Sequence, residues 1–168
     1  MSNNNYHSLK DAPLFHVLLS TGLGTGFIPI APGTAGAIAA LGIWLFLYHN
    51  LSASALFITT MFLIILTTAV GVWTSNIMER CWGKDPRAVN IDEFVGTWIP
   101  LLVAPCGQYT WLMAIFGFAM FRIIDIFKPL GCRAIDEKCP GGWGIMFDDV
   151  LAGFYALLVT LCLKYIIM

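Results

Sequence analysis

FRIIDIFKP, residues Phe121 to Pro129, closes a long uncharged stretch that begins at Phe94. Arg122, Asp125 and Lys128 fall in it at i, i+3 and i+6, a spacing that puts the acid beside each base on one flank of a helix. Pro129 then predicts the end of that helix, because it lacks an N–H and disfavours helical geometry before it. An apolar helix that finishes in a tight base–acid–base set reads as a membrane span leaving the bilayer. Snorkelling basic residues with an incidental acid explain one such cluster equally well. The weight of the pattern comes from what stands at the ends of the other apolar segments.

Composition fixes the class. The 168 residues are 58% hydrophobic and only 11% charged, with a mean hydropathy of +0.79, whereas about a quarter of a soluble globular chain is charged. The expected fold is all-α, a polytopic helical membrane protein with about four to five membrane helices and a Gly/Pro-rich re-entrant or interfacial loop near the N-terminus. Residues 1–168 make a single membrane-embedded domain, with 1–12 as a polar tail. A formal net charge of −1 excludes a nucleic-acid partner, since no basic footprint is present. The opening MSNNNYHSLKDAP lacks a basic region leading into an apolar run, so insertion is expected to use internal spans. Cys81, Cys106, Cys132, Cys139 and Cys162 are odd in number and without a CxxC pair, which suits free thiols.

From Ala12 to Met78 there is no Asp, Glu, Lys or Arg. Pro13 to Leu23 reads as a short interfacial helix carrying a packed His16. GLGTGFIPIAPGTAG, Gly22 to Gly36, cannot continue a helix and should fold back at the membrane boundary. Its amides, at Gly24, Thr25 and Gly26, together with the helix start at Thr34, have the composition of a phosphate cradle. A tight connection with closely packed glycines explains the same residues, and GxGxG without a flanking strand is no dinucleotide signature. Helix one is expected from Thr34, as N-cap, to Tyr48, with Gly36 and Ala40 as a small-residue face. Helix two follows from Ala55 to Ile77. Helix three opens in NIDEFVGTWIPLLVAP with Asp92 and Glu93 in its first turn, and Pro100, Pro105 and Gly107 mark the turn behind it. Helix four runs from Tyr109 to Phe127, and helix five from Asp148 to Ile167 with Ala152 and Ala156 as its packing face.

All Lys and Arg residues except Lys164 lie in the N-terminus, the loop after helix two, or around the loop after helix four. The positive-inside rule makes those regions cytoplasmic. All ten acids lie on the same side, which that rule does not require. Asp92 and Glu93, Arg122, Asp125 and Lys128, and Asp148 and Asp149 therefore meet at one membrane level. Five carboxylates at a low-dielectric boundary repel one another unless cations neutralise them, and hard oxygen donors suit Mg²⁺ with a substrate phosphate. Neighbouring acids point about 100° apart on a helix, so one of each pair is free to cap or orient while the other binds. Simple capping, with pairing to Arg122, Lys128, Arg133 and Lys138, is the alternative.

The segments GLGTGFIPIAPGTAG, NIDEFVGTWI, FRIIDIFKP and GGWGIMFDDVLAG resemble, in the same order, the motifs of bacterial phosphatidylglycerophosphatase A, from about Phe15 onward. The resemblance implies a multi-pass Mg²⁺-dependent phosphatase of the bacterial inner membrane, with N-terminus and active site cytoplasmic. Its substrate would be phosphatidylglycerophosphate and its product phosphatidylglycerol, in phospholipid biosynthesis. On that basis Asp92, Glu93, Asp125, Asp148 and Asp149 are the expected catalytic, metal-binding set. Arg122, Lys128 and Arg133 would grip phosphate, with Gly24, Thr25, Gly26 and Thr34 beside it. The sequence leaves room for a homo-oligomer. The competing classes are a small ion or metal transporter, which should carry polar residues at mid-span, and another lipid-headgroup phosphotransferase, whose DGxxAR run is absent.

Overall fold

The computed structural model describes residues 12–105, 107–129, 131–132, 135 and 139–167, and all of its regular structure is helical. Arg133 and Lys138 lie outside the described residues. The elements in chain order are α1 (Leu14–Ser20), a 3-10 turn (Thr25–Phe27), α2 (Pro32–Asn50), α3 (Ala53–Trp82), α4 (Asp92–Leu101), a second 3-10 turn (Gly107–Tyr109), α5 (Thr110–Phe127) and α6 (Gly142–Ile167). Among the described residues three segments are long and apolar enough to cross a membrane: α3, α5 with its preceding turn, and α6. The 30 residues of α3 reach about 45 Å, beyond the hydrocarbon core of about 30 Å. The 10 residues of α4 reach only about 15 Å and do not cross. Large apolar side chains point outward, among them Phe57, Phe62, Ile65, Trp111, Ile115 and Phe154. Small residues face inward, the distribution that lets helix backbones approach in lipid.

Helix boundaries differ from the sequence expectation where tertiary contacts set them. α2 starts at Pro32 behind Ala31, whose φ is 50°, so Thr34 lies inside the first turn and is not the N-cap; Pro fits the first helical position because its fixed φ is already helical. Ser52 caps α3 by accepting from the Ala55 N–H at 3.4 Å. α4 ends early, at Leu101, since Pro100 and Pro105 bracket its C-terminus. α6 begins at Gly142, well before Asp148. The cause is a cap from another helix: the Gly142 N–H donates to Asn76 Oδ1 of α3 at 2.9 Å. Asp148 and Asp149 thus sit in the second turn of α6, where capping does not account for them.

The arrangement that positions the site is a close parallel pairing of α4 and α6. A Cβ on Gly153 would lie 2.7 Å from the Gly96 carbonyl oxygen, and one on Gly96 would lie 3.1 Å from the Asp149 carbonyl oxygen and run into the Phe121 ring. At the far end Lys164 of α6 donates to the Val103 and Pro105 carbonyls at 3.1 and 2.8 Å, satisfying acceptors of the loop that follows α4. The base that stands apart from the others in the sequence therefore ties the loop after α4 to α6. α5 runs antiparallel to α6, with Gly117 close to Thr160 and to Pro100. α2 is fastened to α4 by the Trp98 indole N–H, which donates to the Ala40 carbonyl at 2.9 Å. The fully buried Ala37, Ala152 and Ala156 keep the neighbouring backbones close.

Gly153→Val should separate α4 from α6. Overpacking of this kind costs about 1–3 kcal/mol, so a lower unfolding temperature in detergent is expected together with a disproportionate loss of activity. Unfolding temperature and turnover measured on the same preparation check both.

Candidate active site

Asp92 and Gly96 are one turn apart on α4, and Asp149 and Gly153 are one turn apart on α6. The backbone contact at the glycines therefore carries Asp92 and Glu93 to the flank of Asp148 and Asp149. α5, antiparallel to both, ends at the same level and supplies Arg122 and Asp125. Carboxylate oxygens of Asp125, Asp148 and Asp149 lie within 4.8 Å of one another. Glu93, Asp148 and Asp149 are buried, at 7%, 5% and 3% exposure. These acids come from three helices that are far apart in the chain.

Arg122 is the hub of the polar network. Its Nη1 donates to Glu93 Oε2 of α4 and pairs with Asp125 Oδ2 at 3.0 Å, and its Nη2 faces Thr34 Oγ1 of α2 at 3.5 Å. Lys128 takes a different course from the one its spacing predicts. α5 ends at Phe127 and Lys128 adopts a left-handed cap conformation with φ 44°, which swings its Nζ to Asp148 Oδ2 at 2.6 Å. Two bases thus meet five acids, and formal charge balance is not reached within the described cluster. Burial, reinforced by Glu93 and Asp148, holds the Asp92 carboxyl well above its ordinary range. Burial also lifts Glu93, and although Arg122 pulls it back it remains pushed up to about 7.

Two oxygens of the cluster, Asp92 Oδ1 and Asp149 Oδ2, are sealed from solvent without a hydrogen-bond partner. Asp92 is half-buried as a residue, but this atom is not exposed. Buried carboxylate oxygens without donors cost several kcal/mol unless a cation meets them. A set of converging oxygen donors with unpartnered, buried members has the chemistry that a hard divalent cation takes.

The glycine loop is placed beside this cluster but is built differently from the cradle that its composition suggests. The N–H groups of Gly24, Thr25 and Gly26 donate to the carbonyls of Thr21, Gly22 and Thr21 at 3.0 to 3.3 Å, so they are committed within the loop. The residue that organises it is Asn90, which the sequence reading passed over. Asn90 is 1% exposed and donates from Nδ2 to Thr25 Oγ1 and to the Pro32 carbonyl, both at 3.0 Å. The backbone N–H groups of Asn90 and Ile91 donate to the Ser20 carbonyl at 2.9 and 3.1 Å. The loop is thereby locked to the start of α4, and the first turn of α2 is brought against the acids. Gly33 abuts Glu93 Oε1 so closely that no side chain fits. An Asn ahead of an acid pair reads locally as a helix cap; only the fold shows that it bridges three segments. Gly33 and Gly96 carried no such signal. His16 packs edge-on against Trp73 with centroids 4.7 Å apart, and Cys132 is buried with its thiol pushed up by burial and then by Asp148.

The family model described as phosphatidylglycerophosphatase A matches residues 18–164 of this chain. The chain belongs to the phosphatidylglycerophosphatase A family. It is 37% identical over 167 residues to a Haemophilus influenzae protein named phosphatidylglycerophosphatase A, covering 98% of each chain. An Escherichia coli protein of the same name is 36% identical over 140 residues, covering 81% of this chain and 76% of that one. A Bacteroides thetaiotaomicron protein provisionally named phosphatidylinositol-3-phosphatase is 47% identical over 159 residues, covering 95% of this chain and 99% of that one. No solved structure matches the chain significantly. The membership makes this chain a membrane phosphatase, and the acidic cluster is its candidate centre.

Arg122→Gln should leave Glu93 and Asp125 facing each other without a counter-charge. Removing one partner of a buried pair costs about 3–5 kcal/mol, so a large fall in unfolding temperature is expected. The double variant Arg122→Gln with Glu93→Gln should recover much of it, and a thermal double-mutant cycle measures the coupling.

Proposed function

We propose that the chain is an Mg²⁺-dependent lipid phosphatase that hydrolyses phosphatidylglycerophosphate to phosphatidylglycerol and phosphate at the cytoplasmic face of a bacterial inner membrane. The observation that carries the reading is the convergence of Asp125, Asp148 and Asp149 beside Arg122 in a chain of this family. Asp92, Asp125, Asp148 and Asp149 would hold the ion, with Glu93 kept against Arg122. Bound there, Mg²⁺ would polarise the phosphoryl oxygens and lower the pKa of water. The guanidinium of Arg122, oriented by Glu93, Asp125 and Thr34, would balance charge that builds on the phosphoryl group. Lys128 orients Asp148. The overall reaction adds water across the P–O bond: hydroxyl goes to phosphorus and a proton to the headgroup alkoxide. The acids lie at one end of the bundle, which suits a phosphate carried at headgroup level and not a path through the membrane.

A second substrate reading is favoured by one observation, the 47% identity to the protein provisionally named phosphatidylinositol-3-phosphatase. A phosphoinositide is also a lipid phosphomonoester, and the same cluster would meet its phosphate. The two headgroups are separated by measuring phosphate release from mixed micelles of each lipid, with Mg²⁺ and with chelator. Release from phosphatidylglycerophosphate, abolished by chelator and by Asp149→Asn, is the expected result. Faster release from phosphatidylinositol 3-phosphate would install the second reading, and release from neither would overturn both.

Metal dependence has a readout apart from activity. Mg²⁺ at 100 times its dissociation constant should stabilise the chelator-treated protein by about 2.7 kcal/mol. That gain should be lost in Asp149→Asn; an unfolding temperature unaffected by Mg²⁺ in the wild type would remove the metal from the proposal.

A further inference from the structure

On the side of the bundle formed by α3 and the start of α6, two cavities of about 520 and 530 Å³ adjoin, both lined by Trp73 and Trp143. The first is bounded by Asn76, Ile77 and Arg80 of α3 and by the Pro140 to Gly141 turn. The second, lined otherwise by Ile64, Ile65, Thr68, Ala69 and Val72, is apolar. None of the five clustered acids lines either cavity. The polar-to-apolar order follows the axis of α3. From Ile64 to Arg80 the helix rises about 24 Å, close to the depth of one leaflet with its headgroup, about 20–22 Å.

We infer that this groove is a second lipid site, which holds an intact anionic glycerophospholipid with its phosphate at Arg80 and an acyl chain along Ile64 to Val72. Arg80 is exposed and has no ion pair among the described residues. The adjacent Glu79 accepts the Asp85 N–H through Oε1 at 3.1 Å, while its Oε2 lies 3.8 Å from the position a Cβ on Gly141 would take, so Arg80 is the exposed cation at this end of the groove and Glu79 stands behind the Gly141 wall. Trp73 and Trp143 stand at the junction, about half exposed, where amphipathic indoles favour the boundary between headgroup and hydrocarbon. Trp73 is held by the ring of His16, and Trp143 packs at a tilt against Phe147 with centroids 5.2 Å apart, so the rim is built before a lipid arrives. Asn76 ties both walls together by accepting from Gly142 while donating to the Val72 carbonyl at 2.8 Å. The surrounding bilayer supplies the occupant, and a cation above an apolar slot selects an anionic headgroup from it.

The test uses the full chain in detergent, with an equimolar mixture of phosphatidylglycerol and phosphatidylcholine, and native mass spectrometry to count what stays bound. The expected result is one retained lipid, with phosphatidylglycerol preferred by about fivefold. Arg80→Gln should abolish the preference and Ala69→Phe, which fills the apolar slot, should abolish retention, both at unchanged phosphatase activity in micelles. Asp149→Asn should retain the lipid, which separates this site from the catalytic cluster and keeps the test independent of the substrate reading. Equal retention of both lipids, retention indifferent to Arg80→Gln and Ala69→Phe, loss in Asp149→Asn alone, or a groove occupied by a second copy of the chain would each overturn the proposal.

Discussion

The backbone crossing of α4 and α6 at Gly96 and Gly153 is the constraint from which the polar architecture follows. Helices in a bilayer gain little from hiding apolar surface, so their closest approaches depend on small residues and van der Waals contact. Here the contact is placed one turn from Asp92 on one helix and one turn from Asp149 on the other. The same approach that packs the bundle forces like charges together. Phe121, filling the space beside Gly96, locks α5 into the same layer, and Arg122 follows it directly in the chain.

Charge is arranged accordingly. Arg122 neutralises across two helices and reaches a third, Lys128 holds Asp148, and the oxygens Asp92 Oδ1 and Asp149 Oδ2 are left unpartnered in a buried setting. A protein that needed only a stable bundle would gain by replacing such a cluster with apolar side chains. Such a cluster is what makes this end of the bundle the candidate site, since buried, perturbed carboxylates are enriched at functional positions. The membership in a phosphatase family says which class of chemistry a candidate site in this chain has to serve.

The glycine loop shows how similar composition serves a different end. Its amides close on its own carbonyls, and Asn90 converts the loop into a strut that presses the first turn of α2, through Gly33, against Glu93. The loop thus acts on the site by placing a helix start and a hydroxyl, Thr34, around Arg122. Gly22, Gly26, Gly33 and Gly36 are there for close approach, whereas Gly24, with φ 95° and open space around it, serves the turn.

Hydropathy and the absence of charge over long runs determined, without coordinates, that the chain is helical and membrane-embedded, since a bilayer admits few backbone solutions. The confinement of acids to the ends of apolar segments likewise made Asp92, Glu93, Arg122, Asp125, Asp148 and Asp149 legible as a group, because charge in lipid is too costly to be incidental. What the tertiary structure alone decided is which partners those residues take and where the helices begin. α6 starts at Gly142 because Asn76, on another helix, accepts its N–H; Lys128 turns to Asp148 because α5 ends one residue before it; and Asn90 spans three segments. Each of these is a hydrogen bond or ion pair between residues distant in the chain, and local propensity carries no record of such contacts.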